Sequence, residues 1–227
     1  MLLSNVQILE ALGQGRIVIE PHPGYDTSKA PFSTMALDLH LDQKITIPSE
    51  LPAAIDLTRE EGDIKNLISK NSHQIVLTKD QPFQLKRNRF VLAQTEEYID
   101  LPILSSPSVE QPCISARVEG KSSIARCGLL VHFTAPTIHN GFHGNITLEI
   151  INHGPNDFLL TLGMPICQLI FEEVAGAVTA TRKNKFHGQR TPEGLGDAPN
   201  EARISAQEAQ FFATERTNER RKTSRKR

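Results

Sequence analysis

The chain contains no tryptophan and only two tyrosines among its 227 residues, and aromatic residues make up 5% of it. A core of this size must therefore be built mostly from aliphatic side chains. Its three cysteines, Cys113, Cys127 and Cys167, are odd in number and form neither a C-x-x-C pair nor a disulfide-like spacing, which excludes a disulfide scaffold and points to reduced thiols. Cys127 reads as a buried structural cysteine rather than a nucleophile served by His132. No apolar run approaches the ~18 residues of a membrane span, and no basic region leads into an apolar leader segment, so a soluble, cytoplasmic protein is expected. The net charge of −1 argues against a globally nucleic-acid-binding protein. The charge is nevertheless uneven. From Glu215 to Arg227 there are seven Lys or Arg against two Glu, a basic end that reads as a solvated, frayed helix terminus.

What is present is punctuation: 14 glycines and 14 prolines, spaced as turns between short apolar runs. Regular short strands at such spacing predict a mainly β barrel or sandwich. Ser4-Asn5-Val6-Gln7 is a capping box ahead of a short helix closing near Gly13 or Gly15. Strands are predicted at 16–20, 36–41, 44–47, 74–77, 82–85 and 90–94, and then at 128–133, 145–151, 157–162 and 166–171. Between Pro52 and Ser72 a connecting excursion with a helical turn near 63–68 is expected. Residues 1–174 read as one barrel, 175–200 as a polar mobile arm, and 201–227 as a helix, opened by the capping box Ser205–Glu208, with a basic tail.

Chemistry concentrates between Glu119 and Gly154. The loop Gly120-Lys121-Ser122-Ser123 offers backbone amides, an ammonium and two hydroxyls, a cradle for phosphate oxygens, with the Arg126 guanidinium shortly after it. The same residues also suit an ordinary helical turn capped by Ser122 or Ser123. In the strand that follows, alternation puts Ile146, Leu148 and Ile150 on one face and Thr147, Glu149 and Ile151 on the other. Glu149 is then either a solvent-facing carboxylate or a partly buried base that Arg126 could hold ionised. Asp38 and Asp157 read as structural. Gln168 and Asn152 suit either base recognition or strand-end hydrogen bonding.

The histidines His132, His139, His143 and His153 cluster in sequence, yet Gly141 and Gly144 break the helix that would bring His139 and His143 onto one face, so turns rather than a metal site are expected. The chain also has neither H-x-E nor P-C-x-x-C, the residues with which zinc nucleobase deaminases hold their metal.

As a set, the motifs LLSNVQILEALGQGRIVIEP, DLHL at Asp38, RFVLAQTEEYIDLP, EGKSSIARCGLLVH, GFHGNITLEIINHG, MPICQLIF and KFHGQ at 185–189 resemble the dCTP deaminases of the dUTPase-like superfamily. The resemblance runs from Met1 to about Arg190. It implies a dUTPase-like distorted β-barrel with a short N-terminal helix and a C-terminal arm, a homotrimer with sites between subunits, and hydrolysis of dCTP to dUTP and ammonia. By the same resemblance Glu149 is the general base, and Arg126 and Ser122 position the water and the pyrimidine. Lys121, Ser122 and Ser123 form the phosphate turn, while Thr147, Leu148, Gln168 and His139 lie along the nucleotide. Lys185 and Gln189 belong to an arm over the triphosphate, with Mg²⁺ on the phosphates, no zinc, and dTTP as a candidate inhibitor. Three departures stand out. His139 occupies a position usually held by aspartate, which counts against a dUTP-cleaving activity. Lys121 stands where arginine is common, and no tyrosine lies near Ala177. A dUTP or dCTP diphosphatase, a bifunctional enzyme forming dUMP, and a catalytically weak regulatory trimer are the competing readings.

Overall fold

The computed structural model describes residues 1–51, 54–56, 58, 61–104, 112–176, 178, 191 and 192. All described elements belong to one compact unit, Met1–Leu195, while the second unit, Gly196–Arg227, lies outside the described residues. So do most of the expected arm and the expected C-terminal helix, with Lys185 and Gln189 among them.

Helix α1 spans Asn5–Gly13 and starts as its sequence dictates. The Ser4 hydroxyl accepts from the Gln7 amide at 3.3 Å, and the Gln7 side chain accepts from the Ser4 amide at 3.0 Å. Two otherwise orphaned donors are thereby satisfied, an arrangement worth about 1 kcal/mol. Ile8 and Ala11 anchor the helix in the core.

The strands are β1 (Val18–Glu20), β2 (Leu37–His40), β3 (Lys44–Pro48), β4 (Ser72–Val76), β5 (Phe83–Leu85), β6 (Phe90–Asp100), β7 (Ile114–Gly120), β8 (Leu129–Val131), β9 (Thr137–Ile138), β10 (His143–Asn152), β11 (Phe158–Leu160) and β12 (Pro165–Glu173). Helix α2 covers Glu61–Lys70, longer than the single turn expected there, and α3 is the short turn Ser122–Ala125. One sheet runs β4-β3-β6-β10-β8, with β1 also on β6. A second runs β2-β12-β7-β9, and β11 pairs with β5. Every pairing is antiparallel. The mainly β distorted barrel read from the sequence is therefore the architecture observed.

Two strands escaped the sequence reading. In β7, Ile114, Ala116 and Val118 are buried while Ser115 and Arg117 are partly exposed, a period-two signal interrupted by Arg and Ser. β9 is two residues long and carries too little pattern to detect. Elsewhere β6 extends to Asp100, beyond the expected stop at Gln94.

The core is aliphatic, as the shortage of aromatics requires. Ile146, Leu148 and Ile150 of β10 pack inward with Val91 and Ala93 of β6 and with Leu39, Ile45, Leu169 and Phe171 from other strands. The alternation in β10 consequently turns Thr147 and Glu149 to the opposite face. The β6–β10 ladder is irregular. Tyr98 pairs with Asn145, but Gln94 pairs with Thr147, so β6 has two residues more than β10 across that interval. Such bulges re-aim side chains and commonly flank functional sites.

Candidate active site

Two clusters emerge from the sequence-predicted residues. The first surrounds the turn after β7. Lys121 is the N-cap of α3, Ser122–Ala125 form one helical turn, and Arg126 closes it. The turn is real, but no serine side chain caps it. Ser122, Ser123 and Arg126 face solvent. Arg126 makes no salt bridge among the described residues. Lys121 differs. Its ammonium lies 2.6 Å from Asp38 Oδ1, with both side chains about four-fifths buried. Gln168 donates to the same Asp38 oxygen at 3.0 Å. The strand register explains the contact, since Asp38, Gln168 and Glu119 stand side by side across β2, β12 and β7. Asp38 thus orients the cation of the turn, a role its position in the DLHL strand did not disclose. Gln168 belongs to this cluster.

The second cluster is built on β10. Glu149 is half-buried, and its Oε2 lies 2.8 Å from Nδ1 of His132. His132 follows directly on β8, and extension of the β8–β10 register places it opposite Glu149; its amide donates to the Glu149 carbonyl at 2.8 Å. The His132 backbone has φ of 51°, in the left-handed region, which for a non-glycine residue costs on the order of 1 kcal/mol. The buried ring, 2.8 Å from the Ala135 carbonyl through Nε2, fixes the proton inventory. A carbonyl only accepts, so Nε2 carries a hydrogen. Nδ1 and Glu149 Oε2 are both buried, and neither has a hydrogen-bond partner among the described residues. At 2.8 Å the imidazole nitrogen and the carboxylate oxygen are in direct contact. The residue against the Glu149 carboxylate is therefore His132, where the sequence had suggested Arg126.

Sequence reasoning passed over His132, which it considered only as one of four clustered histidines and as a partner for Cys127. The usable signal was the register: a strand ending at Val131 and pairing with the Glu149 strand brings these two residues together. His139 is exposed at the end of β9, and its carbonyl accepts from Phe142. Leu148 is wholly buried in the core, so only its backbone reaches the Glu149 face. Asn152 is also wholly buried. It donates to the carbonyls of Leu85 and Asn156 and accepts from the Gly154 amide, which makes it a structural clamp.

Cys127 is exposed, contrary to the buried role expected of it. It lies just past the turn, its thiol 3.5 Å from the Ser123 carbonyl, on the side away from the core. Cys113 and Cys167 are the buried pair. Burial pushes the Cys167 thiol well above the ordinary range, and the nearby Glu97 and Asp38 carboxylates add to the effect.

Close backbone packing links the turn to the end of β10. Gly128 has φ of 96°, and a Cβ there would overlap the Gly154 backbone, while a Cβ on Gly154 would strike the Cys127 carbonyl. Glycine at both positions lets the turn dock against the strand that carries Glu149.

Among the described residues no group of three or more His, Cys, Asp or Glu is arranged to hold a metal ion.

Residues 2–174 match the family model of dCTP deaminase-like proteins. A dCTP deaminase of Thermomicrobium roseum is 32% identical over 197 residues, covering 85% of this chain and 92% of the relative. A dUMP-forming dCTP deaminase of Methanosphaera stadtmanae is 33% identical over 203 residues, covering 85% and 91%. In fold, the chain is similar to the crystal structure of 2′-deoxycytidine 5′-triphosphate deaminase from Agrobacterium tumefaciens, with a TM-score of 0.54 and 19% identity over 76% of this chain. It spans about half, 48%, of that solved chain. The chain belongs to the dCTP deaminase-like family.

Proposed function

We propose that this chain hydrolyses the 4-amino group of dCTP, giving dUTP and ammonia, with Glu149 as the general base. The observation that carries the reading is the half-buried Glu149 carboxylate, paired at 2.8 Å with His132 on the strand next to the Lys121–Arg126 turn. Water attacks C4 of the pyrimidine as Glu149 takes one of its protons. Attack opens the C4=N3 double bond and Glu149 relays that proton to N3; the second proton of the water then passes from the C4 hydroxyl to the 4-amino nitrogen as the C4–N bond breaks, so ammonia leaves and a C4 carbonyl beside a protonated N3 remains. His132, 2.8 Å from Oε2, fixes which carboxylate oxygen faces the site. General-base assistance of this kind is worth ~10²–10⁴ in rate.

Ser122 and Arg126 position the water and the pyrimidine. Lys121, Ser122 and Ser123 receive the triphosphate, with Mg²⁺ entering on the phosphates as part of the substrate. Thr147 and the Leu148 backbone lie along the base, His139 lies toward the sugar, and Gln168 acts through Asp38. Lys185 and Gln189 close over the triphosphate. The residues 1–174 form the catalytic barrel, 175–200 the arm and 201–227 a helical extension. The assembly is a homotrimer that works in the cytoplasm, with dTTP as a regulatory ligand. Among the described residues no helix is long and apolar enough to cross a membrane.

A second reading, deamination followed by cleavage to dUMP, is favoured by the dUMP-forming relatives. Incubating the purified chain with dCTP and Mg²⁺ and identifying the nucleotide product separates the two. dUTP with ammonia supports the main reading, dUMP with pyrophosphate supports the second, and unchanged dCTP contradicts both.

A further inference from the structure

Behind Glu149, on the same face of the sheet, lie two buried polar atoms without hydrogen-bond partners: Oγ1 of Thr147 and Oε1 of Gln94. The register sets these residues directly opposite each other across β6 and β10, beside the Glu149–Leu92 pair and next to the irregularity in the ladder. Gln94 is 4% exposed. Its amide nitrogen donates to Asp42 Oδ2 at 2.6 Å, and because a carboxylate only accepts, the amide orientation is fixed and Oε1 must face away from Asp42. Asp42, in turn, is partly exposed.

An unmet buried carbonyl or hydroxyl costs about 1–3 kcal/mol, and two of them in register on one face call for a shared partner. That partner must donate to Gln94 Oε1 and bond to Thr147 Oγ1, and it must fit between two strands already paired. A molecule of the size of water or ammonia meets these conditions.

We propose that Thr147 and Gln94 form a site for one such molecule beside the general base, and that Glu149, Thr147, Gln94 and Asp42 make a polar file from the reacting position to the surface. The inference rests on Glu149 acting as the base. Each turnover consumes one water at C4 and releases one ammonia from it, and both species are hydrogen-bond donors and acceptors of the kind this file accommodates. Thr147 and Gln94 are positioning residues, since they act through the held molecule.

The experiment is a high-resolution structure of the full chain together with the kinetics of Thr147→Val and Thr147→Ser. A bridging peak within hydrogen-bond distance of Thr147 Oγ1 and Gln94 Oε1 is expected. Thr147→Val, which keeps shape and removes the hydroxyl, should lower kcat about ten- to a hundred-fold, well beyond any change in KM for dCTP, and Thr147→Ser should restore it. Weaker inhibition by added ammonium in Thr147→Val identifies ammonia as an occupant, whereas unchanged inhibition identifies water. The inference is overturned if both atoms are satisfied by protein groups, including those of a second copy, or if Thr147→Val turns over at the wild-type rate. A wild-type chain without deaminase activity would refute the functional reading, while the bridging molecule would still be decided by the structure.

Discussion

Nδ1 of His132 lies 2.8 Å from Oε2 of Glu149, and the other nitrogen of the same ring lies 2.8 Å from the Ala135 carbonyl. The backbone oxygen fixes the tautomer and leaves the second nitrogen facing the carboxylate. A strained histidine thus orients the residue assigned the chemistry. His132→Phe retains an aromatic ring but removes both polar contacts. It should lower kcat for dCTP deamination by about 10²-fold while KM changes little. Equal losses in binding and turnover, measured in one steady-state series, would mean that the ring only supports the fold.

Asp38 couples the Lys121–Arg126 turn to β2 through Lys121, and it also accepts from Gln168. Asp38→Ala releases the ammonium and strands the Gln168 amide, with an expected stability loss of roughly 1–2 kcal/mol. The KM for dCTP should rise several-fold, since the cation loses its orientation. Chemical denaturation combined with initial rates tests both. A fall in KM would mean that Asp38 competes with phosphate rather than positioning its partner.

The glycine pair makes a prediction about sign. Gly128→Ala introduces both a left-handed alanine and an overlap with Gly154, and should destabilise the fold by about 1–3 kcal/mol. Gly13→Ala, at the end of α1 with open space around the added methyl and no positive φ, should instead stabilise by up to ~1 kcal/mol. Thermal melting of the two variants should therefore move in opposite directions.

Thiol labelling checks the placement of the cysteines. Cys127 should react with a thiol reagent in the native protein, whereas Cys113 and Cys167 should react only after denaturation. Burial both shields the Cys167 sulfur and keeps it protonated. Peptide mapping that finds native labelling at Cys167 would contradict the strand order around β12.

The sequence carried the architecture where its patterns are local. Ser4 and Gln7 announce the start of α1, and the alternation of Ile146, Leu148 and Ile150 announces the two faces of β10. It also placed Glu149 on the outer face of that strand. It missed β7 because Ser115 and Arg117 interrupt an otherwise apolar run, and it put Cys127 inside because a small thiol beside a glycine resembles core. The contacts that define the site are mostly non-local. His132 meets Glu149, and Lys121 meets Asp38, only through strand register, which one chain read along its length does not display. The orphaned oxygens of Gln94 and Thr147 are less legible still, because they depend on a two-residue slip between β6 and β10.

The central claim is that Glu149 activates the water that displaces the amino group of dCTP. The most direct measurement is the rate of ammonia release from dCTP by Glu149→Gln, beside the wild-type chain, with nucleotide binding followed separately. The account predicts a loss of at least ~10²-fold in deamination, with dCTP still bound and the fold intact. Deamination by Glu149→Gln at the wild-type rate would contradict it.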